Sequence, residues 1–363
     1  MNNENQTIHK SDDNLTIYGW NEKLNQLKQE SIYSTLAHGR VSIVHRTCYE
    51  VISGNGLFQC ELTGNMMYGK SDDELPCTGD WVIFQPFDEH KGIIVDRLPR
   101  ERTLYRKKSG TVADKQAIAS YVDKAFIVQS LDDNFNVRRV ERFMVQIMEE
   151  NISSVLVLNK ADLDFDRQSV EEQIKHIFSQ IPVFFTSIHQ LETIVRLRKS
   201  ISEGETVVFV GSSGVGKSSL VNALCEKPVL LTSDISLSTG KGRHTSTRRE
   251  MVLMDSSGVL IDTPGVREFG LAIDNPDSLA EVLEISDYAE LCRFKDCKHI
   301  NEPGCAVIEA VNSGALDSKV YESYLKLRRE AWHFSASEHE KRKKEKSFTK
   351  FVEEVKNRKD ANR

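Results

Sequence analysis

Short stretches that alternate apolar and polar positions fill residues 38–108. They include Arg40-Val-Ser-Ile-Val-His45, Tyr49-Glu-Val-Ile52, Leu57-Phe-Gln-Cys-Glu-Leu62, Asp80-Trp-Val-Ile-Phe84 and Gly92-Ile-Ile-Val95. Turn residues such as Ser53-Gly-Asn-Gly56 and Thr78-Gly-Asp80 separate them. Closely spaced short strands of this kind predict a small β-barrel, of the OB or the SH3-like type. Residues 1–37 are more polar and predict an extension with one short helix.

Beyond Arg106-Lys-Lys-Ser-Gly110 the period changes. Phe126-Ile-Val-Gln129, Val155-Leu-Val-Leu158, Val183-Phe-Phe-Thr186 and Thr206-Val-Val-Phe-Val210 are continuously apolar, and Val137–Glu150 has the spacing of an amphipathic helix. Buried strands alternating with helices predict a parallel sheet covered on both faces. Met251–Met254 and Val259–Asp262, joined by Asp255-Ser-Ser-Gly258, predict a hairpin added to it. From Asp277 onward the pattern is helical. The expected domains are an extension over 1–37, a barrel over 38–108, an α/β domain over 109–273 and a helical domain over 274–363.

The loop Gly211-Ser212-Ser213-Gly214-Val215-Gly216-Lys217-Ser218 follows a buried strand and opens a helix, with Ser219 in its first turn. It matches G-x4-G-K-[ST] in the context that motif requires. Inward-turned N–H groups and a helix N-terminus cradle phosphate oxygens. Lys217 is then expected to reach the terminal phosphates and Ser218 to ligate Mg2+. Asn159-Lys160-Ala161-Asp162 ends another strand. A carboxylate there can accept two hydrogen bonds from guanine, which adenine cannot supply. Lys160 would lie along the base and Asn159 would brace neighbouring loops, with Thr186 and Ser187 on a second base loop.

Asp262-Thr-Pro-Gly265 ends a further strand, where Asp262 would hold magnesium through water and Gly265 would sense the γ-phosphate. Between lies Gly240-Lys-Gly-Arg-His-Thr-Ser-Thr247, in which Thr245 or Thr247 is expected to complete the magnesium shell. Val266 stands where many GTPases carry a water-orienting glutamine. Slow intrinsic hydrolysis is therefore expected, with His244 the nearest side chain to align water, or else a partner contact. The order is permuted: Asn159–Asp162 precede the phosphate loop instead of following it. A sheet survives rejoining of its ends, so the site is expected intact and GTP and GDP are the expected ligands.

Seven cysteines without paired spacing are no disulfide framework. Cys48, Cys60, Cys77 and Cys225 read as small buried hydrophobes. Cys292-x4-Cys297-x-His299-x5-Cys305 is different, because three thiolates and an imidazole form a closed tetrahedral set for one structural Zn2+.

Apolar residues make up 39% and charged residues 28%, so no solenoid or disordered class is indicated. The start MNNENQTIHK lacks a signal-peptide pattern and no apolar run reaches membrane-spanning length, so a cytoplasmic protein without membrane contact is expected. The net charge of −6 is unevenly spread, since residues 318–363 hold fourteen Lys/Arg against eight Asp/Glu. The run Lys341–Lys346 suits RNA phosphates or a solvated helix face equally. Arg40, Arg46, Arg102, Arg106, Lys107 and Lys108 are candidates for RNA near the barrel.

The permuted order, Gly242-Arg-His-Thr245, Asp262-Thr-Pro-Gly265 and the Cys/His spacing together resemble the RsgA/YjeQ family of bacterial GTPases. Gly79-Asp-Trp81 and Arg138-x2-Glu-Arg142 carry the same resemblance, which spans about residues 38–330. It implies an N-terminal OB-fold barrel, a circularly permuted α/β P-loop GTPase domain and a C-terminal helical zinc-binding domain. It also implies a GTPase acting late in maturation of the small ribosomal subunit, touching its rRNA and stimulated by it, and a monomer. An RNA-docking factor in which GTP only sets affinity is the alternative; metal delivery is disfavoured by the closed zinc set.

Overall fold

The computed structural model describes residues 14–67, 71, 73–107, 115–178, 180–230, 249–255, 258–263, 279–280, 283 and 285–335. Its described elements, in chain order, begin with helix α1 (Glu22–Glu30), β1 (Ala37–Val44), β2 (Tyr49–Ser53), β3 (Gly56–Leu62) and α2 (Gly64–Met67). Then come β4 (Trp81–Asp88), β5 (Lys91–Arg97), β6 (Leu104–Lys107), β7 (Lys115–Ala119), β8 (Lys124–Ser130), α3 (Val137–Glu149) and β9 (Ser153–Asn159). After α4 (Arg167–Gln173) and α5 (Lys175–Phe178) follow β10 (Val183–Thr186), α6 (Leu191–Arg198), β11 (Thr206–Val210), α7 (Lys217–Leu224), β12 (Glu250–Leu253) and β13 (Val259–Asp262). The described elements close with α8 (Ser286–Ala289), α9 (Ala306–Ser313) and α10 (Ser318–Ser335).

Two compact units contain these elements. One holds residues 1–108 and 115–270, the other 109–114 and 271–363. In the first, β1-β2-β3-β5-β4 closes on itself because β1 pairs with both β2 and β4. The β3–β5 pair is parallel and the remaining barrel pairs are antiparallel. This circuit is that of an OB-fold, which decides between the two barrels that alternation allowed. Val41, Val51, Phe58, Phe84 and Ile94 fill it.

Gly79-Asp80-Trp81 carries the barrel's polar anchor. Asp80 is fully buried; its Oδ2 accepts from Arg100 Nη2 at 2.7 Å and Cys77 N at 2.7 Å, and its Oδ1 from Ser120 Oγ at 2.6 Å. Gly79 has φ +95, and a Cβ there would lie 2.4 Å from the Ser120 carbonyl oxygen. Trp81 is 1% exposed and meets Trp20 edge-on at 4.9 Å. Asp80→Ala leaves the Arg100 guanidinium buried and unpaired, so it should lower stability by about 3–5 kcal/mol. A urea midpoint within error of the parent would refute this.

The N-terminal extension is polar in composition, yet from Leu15 it is anchored. Leu15, Trp20 and Leu24 are buried in one cluster with Trp81, Ile83, Leu98 and Tyr121. Asn21 caps α1 by accepting from Leu24 N at 3.1 Å. Arg40, expected at an RNA surface, is instead 1% exposed. Its Nε donates to the Gly79 carbonyl at 3.0 Å, Nη1 to Thr206 Oγ1 at 2.9 Å and to the Tyr18 carbonyl, and Nη2 to the Tyr121 carbonyl at 3.3 Å. It thus rivets the barrel and the extension to β11, and burial pulls its pKa down to about 10. Nothing in the local alternation of β1 distinguishes such an arginine from one facing solvent.

The α/β sheet runs β10-β9-β8-β11-β13-β12. Five strands are parallel and β12 opposes β13, as the hairpin pattern predicts. Every residue of β11 and β13 is buried, consistent with helices on both faces. α3 follows Asn136, whose side chain accepts from Arg139 N. β12 also pairs with β1 at Glu250–Ile43, so the barrel and the α/β sheet are continuous. The β6–β7 pair between them was not evident in the sequence. Among the described residues no helix is long and apolar enough to cross a membrane.

Candidate functional site

All five parallel strands end on one side of the sheet, where ligands bind in open α/β folds. β9 delivers Asn159–Asp162, β10 delivers Thr186 and Ser187, β11 opens into Gly211–Gly216, and β13 ends in Asp262. The permuted chain therefore brings the separated motifs to one place.

The phosphate loop turns through Gly214 and Gly216, and Ser213 and Gly214 form its exposed tip. Val215 is 1% exposed and anchors the loop in the core cluster containing Val128, Phe209 and Leu220. Gly216 has φ +95, and a Cβ there would meet Asn159 Nδ2 at 2.3 Å. That close approach is used: Asn159 Nδ2 donates to the Val215 carbonyl at 2.8 Å. Asn159 Oδ1 accepts from Thr186 Oγ1 at 3.3 Å, and Ala161 N donates to the Thr186 carbonyl at 2.9 Å. Asn159 thus ties the Gly211–Gly216 loop to the ends of β9 and β10.

Lys217 is buried, and its Nζ donates to the Gly211 and Ser212 carbonyls at 2.9 Å each. Burial pulls its pKa down to about 8, opposed by the Asp262 carboxylate. The ammonium is therefore held within the loop. Ser218 Oγ donates to Asp262 Oδ2 at 2.9 Å, and Ser219 lies one residue further along α7. Burial raises the Asp262 pKa, while Ser218 and Lys217 act the other way. Among the described residues its Oδ1 is buried without a hydrogen-bond partner. A buried carboxylate with one free oxygen beside a hydroxyl suits a hard divalent cation such as Mg2+.

On the base side, the Asp162 carboxylate is hydrogen-bonded by Ser187, which lowers its pKa. Thr193 Oγ1 accepts from Ser187 N at 3.0 Å and fixes that loop. His244, Thr245, Thr247, Gly265 and Val266 lie outside the described residues, as do Lys108 and the run Lys341–Lys346.

In the second unit, Cys292, Cys297, His299 and Cys305 present ligand atoms all within 4.8 Å of one another. Cys292 Sγ stands 3.8 Å from Cys305 Sγ, and each is 3.5 Å from His299 Nδ1. A tetrahedral ion with Zn–S of about 2.3 Å and Zn–N of about 2.0 Å sets edges of about 3.8 Å and about 3.5 Å. The donor set therefore fits zinc in kind, and Cys292, His299 and Cys305 fit it in spacing. Cys60, Cys77 and Cys225 are buried, as small hydrophobes should be; Cys48 is half-buried.

Motif reasoning did not single out Asp132, on the loop after β8, which meets Lys160. Its Oδ2 is 2.8 Å from Lys160 Nζ. Sequence spacing carries no signal for it, because the two residues meet only across β8 and β9.

The family model described as RsgA GTPase matches residues 97–272. One described as ABC transporter matches residues 194–359, a stretch that includes the phosphate loop. The chain is 76% identical over 359 residues to small ribosomal subunit biogenesis GTPase RsgA 1 of Bacteroides thetaiotaomicron, covering 99% of each. It is 38% identical over 338 residues to small ribosomal subunit biogenesis GTPase RsgA of Methanosarcina acetivorans, covering 90% of this chain and 89% of the other. YjeQ from Thermotoga maritima has a similar structure, with TM-score 0.62 and 26% identity over 81% of this chain and 98% of that one. YloQ, a circularly permuted GTPase, shares the fold with TM-score 0.59 and 23% identity, over 83% and 97%. With the permuted motifs brought to one end of the parallel strands and a relative 76% identical over 99% of both chains, this chain belongs to the RsgA GTPase family.

Proposed function

We propose that this protein hydrolyses GTP slowly alone and faster on the small ribosomal subunit, where it acts late in that particle's maturation. The observation that carries the ribosomal part is the 76% identity, over 99% of both chains, to a protein named for small ribosomal subunit biogenesis. The domain boundaries expected from sequence, at 38, 109 and 274, are part of the proposal, as are the cytoplasmic location and the monomeric state.

In this reading the backbone from Gly211 to Gly216 wraps the phosphates, with Ser219 in the first turn beyond. Lys217 exchanges its two carbonyl partners for the β- and γ-phosphates. Ser218 and Asp262 hold magnesium, together with Thr247 or Thr245. When bound, magnesium draws charge off the phosphate oxygens. Gly265 N–H reads the γ-phosphate, and His244 orients water where Val266 cannot. Asp162 accepts from the base edge, Lys160 lies along its face, and Ala161, Thr186 and Ser187 close the base loop. Cys292, Cys297, His299 and Cys305 hold one structural zinc ion, leaving no open coordination site. The barrel contacts rRNA, with Arg46 exposed on the β1–β2 loop and Arg102 and Arg106, half-buried, as further candidates.

The test is GTP turnover by the purified protein alone, with small subunits, and with large subunits as control. Stimulation by small subunits only is the expected result; equal rates in all three would remove the ribosomal assignment. The reading in which GTP only sets affinity is separated by Lys217→Ala. If hydrolysis drives release, that variant stays trapped on small subunits; release at the parent rate would favour the affinity switch.

A further inference from the structure

The ends of four of the five parallel strands already carry a nucleotide-binding motif; the fifth, β8, ends in Ser130-Leu131-Asp132, to which no role is assigned. This loop is bound to the guanine motif at two levels. Leu131 N donates to the Asn159 carbonyl at 2.9 Å. Lys160 Nζ donates to Asp132 Oδ2 at 2.8 Å.

The carboxylate itself is immobilised. Its Oδ1 accepts from Ser130 Oγ at 2.7 Å and from Asn134 N at 3.0 Å. Burial works against its charge, but the bonds from Lys160, Ser130 and Asn134 hold its pKa down to about 2. Asp132 is therefore ionised at any working pH. Lys160 adopts φ +62, a backbone conformation disfavoured for a residue with a Cβ and kept only where the surroundings demand it.

We infer that Asp132 is a positioning residue for guanine recognition: it pins the Lys160 ammonium so that the alkyl stem stands ready as a shelf for the base. The inference rests on the nucleotide site proposed above. A free lysine has many rotamers, and fixing one on binding weakens affinity; a partner that fixes it beforehand removes that loss. The ion pair also neutralises Lys160. Its contribution is then made by the stem against the base and is the same for GDP and GTP.

The test is a double-mutant cycle read by equilibrium binding of a fluorescent GDP, with GTP measured by competition. Asp132→Asn retains an acceptor for Ser130 and Asn134 but loses the charge; Asp132→Ala removes both. Lys160→Met keeps an unbranched stem without charge. In the Lys160 parent, Asp132→Asn should weaken GDP and GTP by the same factor, roughly fivefold. In the Lys160→Met background the same change should have no effect. Equal weakening in both backgrounds would make Asp132 a merely structural residue and overturn the inference, as would no weakening at all. Failure of the parent to bind GDP would instead sink the nucleotide-site reading, so the two failures are distinct.

Discussion

Removing zinc, by a chelator or by Cys305→Ser, should unfold the C-terminal unit and leave GDP binding in place. The segment from α8 to α9 has few apolar residues of its own, with Leu291 and Ile300 exposed at 74% and 56%. Its shape comes from four side chains converging on one point. Cys305 precedes α9 directly and is 2% exposed, so the ion would set the first turn of that helix. Tyr321 Oη donates to the His299 carbonyl at 2.6 Å and carries the same constraint to α10. Structural zinc contributes on the order of 10–16 kcal/mol to small domains, more than such a unit retains without it. The measurement is helical circular dichroism before and after chelation, with GDP affinity in parallel. An unchanged helical signal in metal-free protein would show that the four residues hold the fold as a plain hydrogen-bonded cluster.

Asp162→Asn should reverse base preference. The carboxylate accepts two donors from guanine, and an amide in its place offers one donor and one acceptor. Guanine then faces a donor against its exocyclic amine. Xanthine carries an oxygen at that position and accepts from the amide. Sites built around such hydrogen bonds discriminate by factors of about 10^4, so loss of guanine nucleotide affinity on the order of 10^3 or more is expected. Xanthine nucleotides should gain correspondingly. Competition of GDP and XDP on the variant checks this, and equal weakening of both would mean that Asp162 supports the loop without reading the base. The Ser187 hydroxyl now bonded to that carboxylate should remain a neighbour in either case.

Much of the fold is legible along the chain because the signals are local. The parallel strands announce themselves as continuous apolar runs, and every one predicted from Phe126 to Val210 lies in the sheet. The five barrel strands are legible as alternation. The phosphate loop, the guanine motif and the cysteine–histidine spacing are equally local, since each needs particular residue types within a few positions. Among the described residues the β6–β7 hairpin and the short helix α2 are missed elements. Arg106 and Lys107 read as basic candidates for RNA, and only pairing of Tyr105–Lys107 with Lys115–Ala117 makes the stretch a strand.

Side-chain destinations are a different matter. Arg40 and Arg46 lie close together in sequence, yet one is buried among four acceptors and the other is exposed. The difference is made by Tyr18, Gly79, Tyr121 and Thr206, which come from four separate stretches of chain. Asp80 likewise looks like an ordinary turn residue until Arg100 and Ser120 arrive.

By itself, then, the sequence determined the motifs of this protein: a phosphate-loop pattern, an Asn-Lys-Ala-Asp tetrapeptide, a cysteine–histidine quartet with metal-ligand spacing and the permuted order that links them. Backbone conformation and residue type within a short window are enough to specify each of these. Only the tertiary structure decided the closure of the barrel through β1 and β4, the continuity of its sheet with β12, the burial of Arg40 and the pairing of Asp132 with Lys160. Those contacts join residues far apart in the chain. Their free energy comes from desolvation and hydrogen-bond partners that exist only once the sheets have assembled.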